Sequence, residues 1–251
     1  MSSTDTSSLS VPSTFVVTRA AAAIVGSVLV GVALGLIWLA RLSTDRTLYV
    51  SGLGADGEPT AGAFEIALIL LAVGGFAVAW AARGLRSTVP VLSLWTPALS
   101  IAIASSLFLL ASQVPCTSGC PLPVGDTFTW QDLVHTTAAV LAFALAAVAM
   151  LQASFIDGRP VLRRLSLGAG ISTAVIAGVG GILSLLQFRT DVGSILELVA
   201  TTIGMGWLMI LGFATAHAVG LDAADMSTRP LAAQPEAIGA HVDERSLVSM
   251  H

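Results

Sequence analysis

Long apolar runs alternate with short polar connections along most of this chain. Six runs stand out, at roughly 20–40, 62–82, 91–111, 134–155, 166–187 and 194–218. About 20 apolar residues of helix cross a hydrocarbon core about 30 Å thick, and each run meets or nearly meets that length. A water-facing helix would also carry a polar stripe at helical spacing, and Ala20–Ile37 and Thr136–Met150 contain almost no residue suited to one. The pattern predicts an all-α fold, a polytopic membrane protein built as a bundle of six transmembrane helices.

The segments outside the runs divide the chain further. Residues 1–17 begin with a Ser/Thr-rich stretch that reads as a disordered cytoplasmic N-terminus. Residues 18–220 hold the six-helix domain. Residues 221–251, with Pro230, Pro235, several charges and no apolar periodicity, read as a cytoplasmic tail. The first run is longer than a signal-peptide core and no clear small-x-small cleavage site follows it, so it is expected to remain as a span.

Composition agrees with lipid as the solvent. Residues are 55% hydrophobic and 10% charged, against roughly 25% charged in an average soluble domain. With six spans in 251 residues there is room for one bundle and no separate catalytic domain. The net charge of -4 leaves no basic surface for nucleic acid. All 11 basic residues are arginine, and their placement orients the chain, because short arginine-rich loops stay in the cytoplasm. Arg19, Arg83, Arg86, Arg159, Arg163, Arg164, Arg229 and Arg245 fall on one side, against Arg41, Arg46 and Arg189 on the other. The expectation is a cell membrane protein, inner or plasma, with both termini and the loops 83–90 and 156–165 in the cytoplasm. The loops 41–61, 112–133 and 188–193 then lie outside.

Two of the outer loops carry unusual chemistry. The run from Leu48 to Pro59 contains three glycines, Gly52, Gly54 and Gly57, and Pro59, a turn-rich stretch that predicts a fixed shape over the outer face. It reads as a connector, or as a ligand-facing lid using Ser51, Asp56 or Glu58. The loop after the third run holds the only two cysteines, Cys116 and Cys120, among Pro115, Pro121 and Pro123. Outside the cytoplasm such a pair is expected to form a disulfide that fixes the loop's shape. A metal site is the alternative, and would need His135 as a third ligand.

Ionisable residues cluster near the same face. Asp132 and His135 share a helix face at the start of the fourth run, Glu65 lies near the outer start of the second and Glu197 near that of the sixth. With Ser51, and with Arg189 and Asp191 nearby, they form the candidate outer cluster. Such groups are costly in lipid unless paired or wetted, so the cluster reads either as structural ion pairs at the interface or as a metal, proton or substrate site. Gly31 and Gly35, and the group Gly178, Gly180 and Gly181, predict close helix packing. No metalloprotease, nucleophile-elbow, Walker, Rossmann or haem-attachment motif occurs, and no cofactor is implied.

Tyr49-Val50-Ser51-Gly52-Leu53-Gly54 with Pro59, the Cys116/Cys120 loop, and Asp132-Leu133-Val134-His135 opening a later span form a combination that resembles the bacterial membrane proteins grouped as domain of unknown function 998. The resemblance covers about residues 18–220 and implies a multi-pass envelope protein with no established activity. It carries over no catalytic residue.

The leading expectation is a non-enzymatic protein of the lipid bilayer whose ordered outer face binds a lipid, small molecule or protein partner. The alternatives are a membrane-embedded metal-dependent hydrolase using His135, Asp132, Glu65 and Glu197, and a small ion-coupled transporter with the same cluster as its ion site.

Overall fold

A computed structural model describes residues 14–123 and 125–228. Six helices follow one another: α1 Thr14–Leu42, α2 Ala61–Ala81, α3 Pro97–Gln113, α4 Trp130–Ala153, α5 Pro160–Leu185 and α6 Thr190–Thr228. The connections contain only short 3-10 turns, and there is no strand among the described residues. Each helix packs against its neighbours in the chain and α6 returns to α1, so the six close into a ring in sequence order. Short connections force antiparallel neighbours. One end of the ring therefore carries the connections 43–60, 114–129 and 186–189, here termed the loop face. The other, the terminal face, carries the start of α1, the end of α6 and the connections 82–96 and 154–159.

The ring is apolar on its outside. Ile24, Val28, Val32, Ile66, Val73, Val140, Ile171, Val175 and Ile182 are all exposed, while Ser27, Ser100, Ser105, Gln152, Ser166 and Thr173 are buried. Water would reject that arrangement and a hydrocarbon core favours it, because polar groups must find their partners inside the protein. Five of the helices are long and apolar enough to cross a membrane. The chain is a polytopic helical membrane protein.

The third element differs from its expected form. The apolar run at 91–111 folds as a 3-10 turn, Val91–Ser93, and a separate 17-residue helix, α3. Its length, about 26 Å, is at the short end for a span. Proline explains the break: Pro97 has no N–H to donate and holds Thr96 extended, at φ -82° and ψ 154°. Thr96 then caps the new helix by accepting from the Leu99 N–H at 3.2 Å. The carbonyls freed before the break are satisfied by the buried Gln152 of α4, whose Nε2 donates to Leu92 at 3.1 Å and Trp95 at 2.9 Å. Its Oε1 accepts from Ser100 at 2.8 Å.

Glycine packing also departs from the expected pattern. Of the Gly31/Gly35 pair only Gly31 faces a neighbour, where a Cβ would lie 3.0 Å from the Met209 side chain of α6, while a Cβ on Gly35 would meet nothing within 4 Å. The backbones of α1 and α2 come closest at Gly26 and Gly74, where a Cβ on either would lie 2.7 Å from the other's carbonyl oxygen. Of the group Gly178, Gly180 and Gly181 in α5, only Gly180 faces a neighbour, Leu196 of α6 at 3.3 Å, while Gly170 of the same helix meets Met150 of α4 at 3.2 Å. At the ends, α1 begins four residues inside the segment 1–17 and α6 runs on past residue 221 to Thr228. The rest of both terminal segments lies outside the described residues.

Candidate functional site

At the loop face the first connection folds inward. Val50, Leu53 and Ala55 are buried, which draws the 3-10 turn Ser51–Gly54 down onto the bundle. The turn has no cap from its own side chains; Glu197 of α6 supplies one. Its Oε2 accepts from the Val50 N–H at 2.7 Å, and the Ser51 N–H points to the same carboxylate. Thr60 donates to the Leu53 carbonyl at 2.7 Å, and Arg46 pairs with Glu58 across the connection. The ring of Phe64 packs against Gly54, where a side chain would collide with it.

The cysteine loop lies over this turn. Cys116 is fully buried, and its sulfur lies 2.18 Å from that of Cys120, at disulfide distance. The Asp56 N–H donates to the Cys116 carbonyl at 2.9 Å. Gln131 bridges the two connections, donating to Asp56 Oδ2 at 2.9 Å and to the Pro115 carbonyl at 2.7 Å. Gly119, at φ +81°, makes the turn between the cysteines in a conformation that favours glycine.

Asp132 is fully buried and its carboxylate is spoken for. It accepts from the Thr117 N–H and hydroxyl, both at 2.8 Å, and from the Thr129 hydroxyl at 2.6 Å. Thr129 is the N-cap of α4 and accepts in return from the Asp132 N–H at 3.0 Å; the carboxylate meets the Thr129 hydroxyl rather than its N–H, a local N-cap pair that is half of a capping box. The spacing Thr-x-x-Asp is the sequence signal for this role.

His135, one turn further on, points to the end of α3. Its Nδ1 lies 3.1 Å from the Ala111 carbonyl and 2.9 Å from that of Val114. Carbonyls only accept, so Nδ1 carries the proton and satisfies two carbonyls that the end of a helix leaves open.

Two hollows meet at His135. The inner one, about 80 Å³, is lined from every helix of the ring; its walls are mostly apolar, with Ser51, His135, Thr173, Glu197 and Thr201 among the polar groups. Thr173 Oγ1 is buried with no hydrogen-bond partner among the described residues. The outer one, about 290 Å³, lies between the outer ends of α2 and α3 and includes Asp56, Glu65, Gln113 and His135. Phe64, Leu68, Ala111 and His135 border both.

The expected cluster is thus divided. Ser51, His135 and Glu197 border the inner hollow, Glu65 is exposed at the outer one, and Asp132 is held by two threonines. Arg189 and Asp191 pair with each other at the surface, at 3.3 Å. Among the described residues, the group of three potential metal ligands found within 4.8 Å of one another is Cys116, Cys120 and His135. Two of its donors are sulfurs at disulfide distance from each other, and a bonded sulfur is a poor ligand compared with a thiolate. Thr173 and Thr201, which line the inner hollow, were not expected at the site. A single Thr in an apolar run carries no signal until its helix is placed in the ring.

No curated protein and no solved structure matches the chain. A family model for a protein of unknown function, DUF998, matches residues 24–214, about three quarters of its length. That stretch begins within α1 and ends within α6, so it takes in both hollows and the two loops above them, and the chain belongs to the DUF998 family.

Proposed function

We propose that this is a non-enzymatic membrane protein that binds a small amphiphile at its loop face. The polar end of the ligand occupies the outer hollow beside Glu65, Asp56 and Gln113, and its apolar end enters the inner hollow past Phe64 and His135. The observation that carries this reading is the pair of hollows, one of mixed polar and apolar lining and one mostly apolar, sharing a wall. An unpartnered buried hydroxyl, Thr173 Oγ1, adds to it. The inner space is smaller than a 150 Å³ cavity that admits benzene, so it suits a short alkyl end and not a whole acyl chain. The excess of arginine at the terminal face supports an orientation in which that face is cytoplasmic and the ligand enters from outside.

The test is mass spectrometry of molecules retained by the detergent-purified full chain. Wild type should carry a small amphiphile near one per chain, and Ala139→Leu, which fills the inner hollow, should lower its occupancy about tenfold. Glu65→Gln should weaken retention of a cationic head group and spare a neutral one. Equal occupancy in wild type and Ala139→Leu, or none in either, would reject the reading.

A second reading, the ion-coupled transporter, is supported by the position of His135 on the shared wall, with Glu65 on one side and Glu197 on the other. Proton flux into vesicles containing the protein should then fall to background in both His135→Gln and Glu197→Gln.

A further inference from the structure

Three arginines gather at the terminal face, at the end of the ring opposite the hollows. Arg19 of α1 donates from Nε to the Ala81 carbonyl at the end of α2, at 2.6 Å. Its Nη2 lies 3.4 Å from the point where a Cβ on Gly84 would stand. Arg83 donates to the Trp80 carbonyl at 2.8 Å and lies over the rings of Phe15 and Trp80, 5.0 and 4.4 Å from their centres. Arg159 precedes α5, on a connection that Thr88 ties to the one carrying Arg83: the Thr88 N–H and hydroxyl both donate to the Phe155 carbonyl at 2.9 Å.

Arg19 lies within electrostatic reach of the other two and of one carboxylate. Arg83 and Arg159 both repel Arg19, and Asp222 of α6 is the carboxylate that attracts it. Among the described groups that act on Arg19, two are positive and one is negative. Among the described residues the ion pairs are Arg46–Glu58 and Arg189–Asp191, both at the loop face, so none of the three is paired. Two further observations point to a missing anion. Nη1 of Arg159 is buried with no hydrogen-bond partner among the described residues. The first turn of α5 has no side-chain cap, and its open N–H groups lie next to Arg159. Packing like charges together in partial burial is costly without a counter-charge, and guanidinium groups match phosphate oxygens in geometry.

We propose that Arg19, Arg83 and Arg159 form a binding site for a phosphate group. Phe15 and Trp80 beside Arg83 mark the level of the membrane interface, where lipid phosphates lie, so the expected source is an anionic phospholipid headgroup. Free phosphate in the adjoining water offers the same chemistry.

The test uses the full chain in detergent, titrated with phosphatidylglycerol or with phosphatidylcholine and read by native mass spectrometry. Inorganic phosphate is tested in parallel by its effect on the melting temperature. Wild type should prefer phosphatidylglycerol, and Arg83→Gln and Arg159→Gln should each reduce that preference about fivefold. Arg159→Lys should keep part of it, and Arg189→Gln at the opposite face should keep all of it. Arg83 is exposed, so its variant tests the site even where Arg159→Gln folds poorly. Loss of lipid preference in the variants assigns the site to a lipid. No lipid preference, with phosphate raising the melting temperature of wild type and not of Arg83→Gln, assigns it to the free anion. If neither ligand distinguishes wild type from the two glutamine variants, there is no phosphate site.

Discussion

Asp132 gives the sharpest test of how the loop face is held together. Replacing it with alanine removes three accepted hydrogen bonds, at 2.8, 2.8 and 2.6 Å, which fasten the cysteine loop to the first turn of α4. Hydrogen bonds to a charged group contribute about 1.5–3 kcal/mol each, so the simple sum is about 4–9 kcal/mol. Two corrections lower it. Thr117 is only half-buried, so its two donors recover water in the variant, and deleting the carboxylate also removes the cost of burying it. A net loss of about 3 kcal/mol remains, equivalent to a drop of about 6–12 °C in melting temperature for a chain of this size. Asp132→Asn keeps an acceptor for the Thr117 N–H and should lose about 1 kcal/mol. The assay is thermal unfolding of the detergent-purified protein followed by intrinsic tryptophan fluorescence. A double-mutant cycle with Thr117→Val should show coupling above about 0.5 kcal/mol. If Asp132→Ala melts with wild type, or the cycle is additive, the carboxylate does not anchor the loop and the reasoning fails.

Two further predictions test the packing of the ring by the same measurement. Gly26→Ala places a Cβ 2.7 Å from the Gly74 carbonyl and should cost about 1–3 kcal/mol, while Gly35→Ala meets nothing and should be neutral or slightly stabilising; equal effects would refute the assigned contact between α1 and α2. Gln152→Leu strands the carbonyls of Leu92 and Trp95 and should lower stability by about 2–4 kcal/mol, and a wild-type melting curve would show that the break before α3 does not depend on this side chain.

The candidate site was only partly legible from the residues. The sequence marks Asp132, His135 and Glu197 as ionisable groups too near lipid to be unpartnered, and all three have partners. Their roles differ because the partners come from distant parts of the chain. Glu197 caps a turn 147 residues earlier, and His135 closes the end of a helix 21 residues before it. Asp132 differs again: its N-cap pair with Thr129 is local and could have been recognised from spacing. Among the described residues Glu65 has no such partner, and it remains at the outer hollow.

Hydrophobic patterning by itself determined the class, the number of helices and the approximate position of each, because a lipid-crossing helix must be apolar over a fixed length and satisfies its backbone within itself. It also fixed which connections share a face, since short connections make neighbours antiparallel. Tertiary structure decided everything that depends on rotation about a helix axis and on which helices touch. Nearly uniform apolar runs carry little angular information, so the sequence could not say that Gly26 packs and Gly35 does not. Nor could it say that Thr173 turns inward, or that Pro97 would end an apolar run whose freed carbonyls Gln152 satisfies. The two hollows exist because the six helices close into a ring, and that closure depends on the contact of α6 with α1, the elements farthest apart in the chain.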